Sequence, residues 1–246
     1  MEKTLSLNWK NNTDFEIGGY TLTMNYEHGG SKIISKDNKF LLMKAENFLK
    51  HYTSLDPKEY RRVLELGVYQ GGSFVFLDQL LQPEKISAIE LSTTPLPALD
   101  KYVAANKDRA RLYYGTSQDD AEKLRAIVNT DFGGELDLVV DDASHFYEQT
   151  KTSFKTLFPL VRPGGLYIIE DWGWSFQDVF QDPDNPWNSV ASPANLMIEL
   201  MEDMTRGDLI LDIQIARELI KIRRSNLVAG QVFATQARRG RTYNLL

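Results

Sequence analysis

The chain has 246 residues with a formal net charge of −6, and 42% of its residues are hydrophobic. This composition is typical of a globular protein with a sizeable core, and it excludes an intrinsically disordered chain. The acidic balance argues against nonspecific nucleic-acid binding, which requires a basic surface. Because the sequence contains no cysteine, disulfides and thiolate metal sites are excluded and a reducing compartment is favoured.

The amino-terminal stretch "MEKTLSLNWKNNTDFEIGG" lacks the apolar run of a secretory signal. No later segment is apolar over the length that crosses a bilayer. We therefore expect a soluble, cytoplasmic protein with neither a membrane nor a nucleic acid as partner.

The first sixty or so residues have a pattern of their own. "FEIGGYTLTMNYEHGG" alternates and is interrupted by paired glycines, which predicts a hairpin. "KFLLMKAENFLKHY" has apolar residues at helical spacing, which predicts a helix over residues 39–52. We therefore predict an N-terminal extension over residues 1–58, serving as a cap or an oligomer contact, and a main domain over residues 59–246.

The main domain alternates short apolar runs with helical patterns. Strands are predicted at "RVLELGV", "KISAIEL", "ARLYYG", "LDLVVDD" and "LYIIED", and helices over residues 73–81, 97–106, 119–128 and 147–160. This alternation implies right-handed βαβ crossovers and a mostly parallel sheet, hence an α/β fold. The tail, "LILDIQIARELIKIRR" and "QVFATQA", is expected to add antiparallel strands.

A glycine-rich turn, "LELGVYQGGSF", joins the first of these strands to its helix. Glycines here permit a tight turn and let a ligand approach the backbone, and the helix start offers free N–H groups. The spacing is not the Gly-x-Gly-x-x-Gly of dinucleotide enzymes, and Glu90 follows about 20 residues later, where such folds bind ribose. The combination favours a nucleoside without a pyrophosphate, such as S-adenosylmethionine. The alternative is that the glycines serve packing alone.

Acidic pairs end two consecutive predicted strands, Asp141 with Asp142 and Glu170 with Asp171. If the strands are neighbours, the carboxylates meet at one sheet edge, and each like-charge pair costs roughly 4 kcal/mol at about 4 Å. Either the acids are protonated or a cation lies among them, and oxygen ligands favour Mg²⁺, Mn²⁺ or Ca²⁺. The alternative is that Asp142 or Ser144 caps the next helix and Asp171 caps a turn.

His145, one of only three histidines in the chain, follows Asp142 by one short turn. Beside a metal it is placed to take a proton from a bound hydroxyl group. Its alternative role is structural, with the ring bonded to a backbone carbonyl. His28 and His51 have no such context and are predicted to be surface residues.

Together the motifs "VLELGVYQGGS", "DLVVDDASH" and "LFPLVRPGGLYIIEDW" resemble one family. They are similar to the metal-dependent class I O-methyltransferases of macrolide sugars, of the mycinamicin and tylosin type, and to the cephalosporin hydroxylase-like proteins. The resemblance spans residues 62–172. It implies a Rossmann-like fold with a mostly parallel seven-stranded sheet flanked by helices. It also implies methyl transfer from S-adenosylmethionine to a hydroxyl of a sugar or polyketide, with Mg²⁺ or a similar ion, in a homo-oligomer.

The resemblance also implies roles for individual residues. It assigns the metal to Asp142, Glu170 and Asp171, and catalysis to His145 as base together with Asp142. It assigns donor binding to a larger set: Glu65, Gly67, Tyr69, Gly71, Gly72, Ser73, Glu90, Ser117, Gln118, Asp119 and Asp141. Two departures are that "GTSQD" replaces the family's usual Gly-Asp-Gln-Ser-Asp order beside the adenine, and that Ala143 replaces a frequent glycine.

The long loop after residue 171 is rich in aromatic residues. Trp172, Trp174, Phe176 and Trp187 are candidates for the wall of an acceptor pocket, or they pack the loop itself. Loops of this length are often lids.

Other functions stay open at this point. The fold can bind S-adenosylmethionine for altered chemistry, hydroxylase-like or cyclising, or serve as a non-catalytic nucleoside-binding subunit. The glycine spacing disfavours a dinucleotide oxidoreductase.

Overall fold

The computed structural model describes residues 7–25, 34–206 and 208–226. Its N-terminal part contains strands β1 (Asn8–Trp9), β2 (Asp14–Ile17), β3 (Tyr20–Met24) and β4 (Lys39–Leu42), followed by helix α1 (Glu46–Thr53). The strands form one sheet in chain order. β2 and β3 form the predicted hairpin, with β4 parallel to β3. The "EHGG" end of the predicted hairpin and His28 lie outside the described residues.

The helix predicted over residues 39–52 is wrong in its first half, where β4 forms instead. Phe40, Leu41 and Leu42 are all buried in that strand, and β4 completes backbone pairing with β3. A run of three apolar residues fits helical and strand patterns equally, so the pairing partner decides between them.

In the described residues the main sheet contains seven strands. They are β5 (Arg62–Leu66), β6 (Lys85–Glu90), β7 (Ala110–Tyr114), β8 (Leu136–Asp141), β9 (Val161–Glu170), β10 (Ile210–Ile215) and β11 (Leu219–Arg224). Their spatial order is β10-β11-β9-β8-β5-β6-β7. β5 to β9 run parallel, and β11 is antiparallel to both β9 and β10. The predicted α/β class and its mostly parallel sheet are confirmed; "QVFATQA" lies outside the described residues.

Helices flank this sheet on both faces. They are α2 (Gly72–Leu81), α3 (Pro97–Ala105), α4 (Ala121–Phe132), α5 (Tyr147–Leu157) and α7 (Ala194–Arg206), while the short helix α6 (Asp178–Gln181) lies in the loop after β9. The first four match the predicted helices, although α4 begins and ends later. The Asp120 carboxylate caps its start by accepting a hydrogen bond from the Lys123 amide, and Gly133 ends it in the left-handed conformation. No helix in the described part of the chain has the length and apolar composition of a membrane span.

Two hydrophobic clusters fill the two sides of the main sheet. One cluster joins α2 and α3 to residues of the N-terminal extension, among them Phe15, Phe40 and Tyr52. The other lies under α4, α5 and α7. The predicted boundary at residues 58 and 59 therefore falls between two sheets whose side chains share one core.

The strand order reverses between β5 and β8, which makes their carboxyl ends a topological switch point. The extension reaches this edge because α2 approaches β4 closely. At Gly72 an added Cβ atom would lie 2.0 Å from the Leu41 carbonyl oxygen. Glycine at this position therefore lets β4 lie against the start of α2.

We expect Gly72→Ala to destabilise the protein, because the Cβ atom would collide with backbone atoms of Leu41 and Leu42. The free energy of unfolding, measured by urea denaturation, should fall by about 2–3 kcal/mol, the upper range for overpacking. Gly173→Ala is the control, since its Cβ atom would meet only the Phe176 ring at 3.5 Å. That change should stay within about 0.5 kcal/mol of wild type. Equal losses for the two variants would contradict this account.

Candidate active site

The two acidic pairs do end neighbouring strands, and a lysine lies between them. The Lys44 ammonium, just after β4, lies 2.8 Å from Asp142 Oδ2 and 2.5 Å from Glu170 Oε2. The Tyr52 hydroxyl donates to the other oxygen of Glu170. The sequence predicts either protonated acids or a cation among them, but no local pattern marks Lys44, which lies 98 and 126 residues from its partners along the chain.

The environment of Lys44 keeps it charged. Its side chain is only 3% exposed. Burial alone would lower its pKa, but the carboxylates of Asp142 and Glu170 outweigh burial and raise the pKa above its usual value. Lys44 is therefore a permanent positive charge within the acidic cluster.

Three ligand-type side chains converge beside this lysine. Among the described residues, Asp142, His145 and Asp171 offer ligand atoms within 4.8 Å of one another, and His145 Nε2 lies 3.8 Å from Asp142 Oδ1. The two carboxylates suit a divalent cation such as Mg²⁺ or Mn²⁺, which prefer oxygen ligands. The predicted ligands Asp142 and Asp171 thus come together, whereas Glu170 is engaged by Lys44 and Tyr52.

The backbone at this edge is strained. His145, Asp171 and Tyr69 all have positive φ angles, of 56°, 47° and 48°. Each such non-glycine residue costs on the order of 1–3 kcal/mol, and such residues concentrate at functional sites. The Trp174 indole N–H donates to the His145 carbonyl oxygen at 2.7 Å, so neighbouring groups hold the strained conformation.

Asp141 serves a different purpose from Asp142. Its buried carboxylate accepts hydrogen bonds from Gln118, Ser153 and Tyr167 at 2.7–2.8 Å, and burial raises its pKa to about 6. Gln118 also accepts from the Ser144 amide at 2.9 Å. Two of the predicted donor-binding residues, Asp141 and Gln118, therefore bond each other and fix the loop that carries His145.

The part of the capping alternative that concerns Asp142 and Ser144 is wrong. The residue before α5 is Phe146, and no side chain caps that helix. Ser144 Oγ accepts from the Phe146 amide at 3.2 Å, which is a turn inside the loop. Asp142 pairs instead with Lys44.

Glu65 lies just before the glycine-rich turn, and its carboxylate is in an unusual environment. This side chain is fully buried, and neither carboxylate oxygen has a hydrogen-bond partner among the described residues. Burial raises its pKa to about 8. An unpartnered buried carboxylate is costly, so this position suits a ligand that brings a positive charge.

Other residues predicted to bind S-adenosylmethionine surround the turn. Gly67 has a φ of +81°, and an added Cβ atom would lie 2.5 Å from the Asp142 carbonyl oxygen. Glu90 accepts hydrogen bonds from the Val68 and Tyr69 amides at 3.2 and 3.3 Å. The Ser117 hydroxyl donates to Asp119 at 2.5 Å on the surface. Packing thus accounts for Gly67 and Gly72, and Glu90 holds the turn.

A narrow cavity of about 30 Å³ separates the turn from the segment after β4. Its walls include Gly67, Tyr69, Ser73, Lys44 and Asp142. The glycine turn and the acidic cluster are therefore two sides of one site, with Lys44 and Asp142 in the shared wall.

A larger cavity of about 620 Å³ opens on the other side of the cluster. Its lining is Ala45, Asn47, Phe48, His145, Asp171, Gly173, Trp174, Gln177, Phe180, Trp187, Arg217 and Glu218. The rings of Phe180 and Trp187 stack at 5.7 Å, and Trp174 contacts both.

Of the four aromatic residues predicted for a pocket wall, this lining contains Trp174 and Trp187. Trp172 donates instead to the Ala216 carbonyl oxygen at 2.9 Å, and Phe176 packs against Trp172. The residues of α1 and of the β10–β11 turn that line the cavity were not predicted from the sequence. Both segments are distant in sequence, and neither carries a local motif.

Parts of this chain are similar in sequence to known methyltransferases. Residues 64–172 match a family described as a methyltransferase domain. Mycinamicin VI 2''-O-methyltransferase of Micromonospora griseorubida is 31% identical over 166 residues, which cover 63% of this chain and 39% of that protein. The 8-demethyl-8-(2-methoxy-alpha-L-rhamnosyl)-tetracenomycin-C 3'-O-methyltransferase of Streptomyces olivaceus is 39% identical over 117 residues, covering 45% of this chain and 27% of that protein.

This chain is also similar in structure to a solved methyltransferase. The MycE methyltransferase of the mycinamycin biosynthetic pathway, in complex with Mg, SAH and mycinamycin VI, has a TM-score of 0.57 to this chain at 25% identity. The match covers 77% of this chain and 51% of that one. It confirms the Rossmann-like class I methyltransferase fold, and this chain spans about half the length of that protein.

We expect Glu65 to make stability depend on pH. Because its folded pKa of about 8 lies above the ordinary 4.5, the folded carboxyl keeps its proton where the unfolded one loses it. The free energy of unfolding therefore falls as pH rises from about 4.5 to 8. Glu65→Gln should reduce this slope by up to about 1.4 kcal/mol per pH unit.

Urea denaturation of nucleoside-free protein at pH 5, 6, 7 and 8 measures the slope. Glu122→Gln, on the exposed side of α4, is the control and should leave the slope as in wild type. Parallel curves for wild type and Glu65→Gln would contradict the assignment.

Proposed function

We propose that this chain, whose residues 64–172 match a methyltransferase domain family, is an O-methyltransferase. The proposed reaction moves the methyl group of S-adenosylmethionine to a hydroxyl of a natural-product sugar or polyketide, with Mg²⁺ or a similar ion. One observation carries the proposal: His145 and Asp171 line the aromatic cavity while Asp142 lines the cavity beside the glycine-rich turn. Base, acids, donor turn and acceptor cavity therefore meet at one edge of the sheet.

Glu65 supports the choice of donor. S-adenosylmethionine carries a sulfonium and an ammonium group, and the buried Glu65 carboxylate has no hydrogen-bond partner in the described structure. A ligand cation would satisfy that carboxylate and keep it ionised. The start of α2 at Gly72 adds free backbone N–H groups for the polar end of the donor.

His145 is proposed as the general base. In the transfer, the acceptor oxygen forms a bond to the methyl carbon as the carbon–sulfur bond breaks, and His145 takes the hydroxyl proton. Asp142, 3.8 Å away, stabilises the imidazolium that results. A divalent cation held by Asp142, Glu170 and Asp171 would lower the pKa of the acceptor hydroxyl. The remaining contribution is proximity, since the donor is already activated.

The aromatic cavity supports a sugar-bearing acceptor. Its lining includes the aromatic residues Trp174, Phe180 and Trp187 and the polar residues Asn47, Gln177 and Arg217. This mixture suits a ring with hydroxyl substituents. The relatives named above are methyltransferases of mycinamicin VI and of a rhamnosyl tetracenomycin. A homo-oligomeric assembly remains a prediction.

Calorimetric titration with S-adenosylmethionine and S-adenosylhomocysteine, with and without MgCl₂, tests both halves of the site. We expect wild type and Asp142→Ala to bind the nucleosides similarly, and only wild type to bind Mg²⁺. Glu65→Gln should weaken S-adenosylmethionine binding at least about tenfold, since a buried charge pair is broken. Glu122→Gln is the control.

The outcomes separate the two halves of the proposal. Absence of nucleoside binding would remove the methyltransferase assignment. Nucleoside binding without Mg²⁺ binding would leave the donor site intact and show that the acids are structural.

We expect His145→Gln to reduce kcat for methyl transfer by about 10²–10⁴, the usual contribution of a general base. Donor affinity should not change. Transfer of labelled methyl from S-adenosylmethionine to desmethyl glycosides, beginning with mycinamicin VI, measures the rate. Trp187→Ala provides the comparison, because loss of a cavity wall should mainly raise KM. A kcat for His145→Gln within tenfold of wild type would refute the assigned base.

A further inference from the structure

Lys44 has a role that the proposed reaction does not use. Its ammonium group lies 2.8 Å from Asp142 and 2.5 Å from Glu170. These are two of the three residues to which the family resemblance assigns a metal ion. In the described structure a side-chain cation thus occupies the space between them.

We propose that Lys44 is the resident counter-ion of the acidic cluster, and that a divalent cation gathers Asp142, Glu170 and Asp171 only by displacing it. This inference rests on the proposed metal-assisted function and adds a control of metal occupancy to it. Lys44 is a positioning residue in this scheme: it holds the acids in place while no metal is bound.

The oxygens available to a metal carry the argument. Asp142 Oδ2 is taken by Lys44, which leaves Oδ1 facing His145. Both oxygens of Glu170 are taken, one by Lys44 and one by Tyr52. Lys44 therefore lies between Asp142 and Glu170, where a metal ion shared by these two residues would have to bind.

Electrostatics points the same way. An ammonium and a divalent cation a few ångströms apart repel each other strongly in a buried site. Lysine has a long, flexible stem and a compact charge, so it can withdraw without breaking the fold. Lys44 lies in the short link between β4 and α1, and this link lacks regular secondary structure.

Displacement would also reach the acceptor cavity. Lys44 Nζ lies 5.6 Å from the Phe48 ring centroid and 5.9 Å from that of Tyr52. Phe48 and the adjacent Ala45 line the large cavity. Metal binding would thus alter contacts at the wall where the acceptor is proposed to lie.

The test is a Mn²⁺ titration followed by electron paramagnetic resonance on wild type, Lys44→Met and Lys50→Met. Lys44→Met should bind Mn²⁺ at least about tenfold more tightly than wild type, because the competing charge is gone. Lys50→Met is the matched control, since Lys50 is an exposed lysine of α1 that pairs only with Glu46 in the described structure. Its Mn²⁺ affinity should equal that of wild type.

A second variant shows which ligand is released. Adding Glu170→Gln to Lys44→Met should abolish the gain in Mn²⁺ affinity. In the wild-type background, Glu170→Gln should weaken Mn²⁺ binding by a smaller factor than it does in Lys44→Met. A purely structural role for Lys44 would lower Mn²⁺ affinity, and would not raise it. Unchanged or weaker binding by folded Lys44→Met therefore overturns the inference and leaves the proposed function standing.

Two further outcomes are decisive. If neither wild type nor Lys44→Met binds Mn²⁺, the inference and the metal part of the proposed function both fail; nucleoside titration then shows whether the donor site survives. If Lys44→Met does not fold, a crystal structure of wild type with Mn²⁺ decides the question. Lys44 should have left Asp142 and Glu170, and its retention within hydrogen-bond distance of both beside a bound ion overturns the proposal.

Discussion

The need to balance buried negative charge at one edge of the sheet governs the arrangement of this molecule. Asp142 and Glu170 lie at the ends of adjacent strands, and like charges about 4 Å apart repel by about 4 kcal/mol at an effective dielectric of about 20. Lys44 supplies the balancing charge, and the Tyr52 hydroxyl adds a donor. Both come from the N-terminal extension, so the extension completes the site as well as the core.

The position of Lys44 depends on contacts throughout the extension. Gly72 permits β4 to lie against the start of α2. At the other end of the site, Glu218 in the β10–β11 turn bonds Asn47 and His51 of α1. His51, expected to be a surface residue, is half-buried by this contact. α1 is thereby held between the sheet edge and the hairpin, and its Phe48 faces the large cavity.

Local patterns predicted much of this structure, and non-local pairing explains the rest. The strands ending in Leu66, Asp141 and Glu170 were identified because a parallel sheet covered on both faces leaves continuous apolar runs. The prediction of a helix at Phe40 is wrong because the strand there forms by pairing with β3, and the residues of the strand do not indicate that partner. The role of Lys44 was not predicted for a similar reason, since no local motif marks a lysine whose partners lie 98 and 126 residues away.

The aromatic loop shows why its two predicted roles need not compete. Trp174 lines the large cavity, and its indole N–H also holds the carbonyl of His145. That bond supports a residue whose φ of 56° is unfavourable in isolation. A side chain that packs the loop therefore also orients the proposed base, so the position of His145 depends on the packing of that loop.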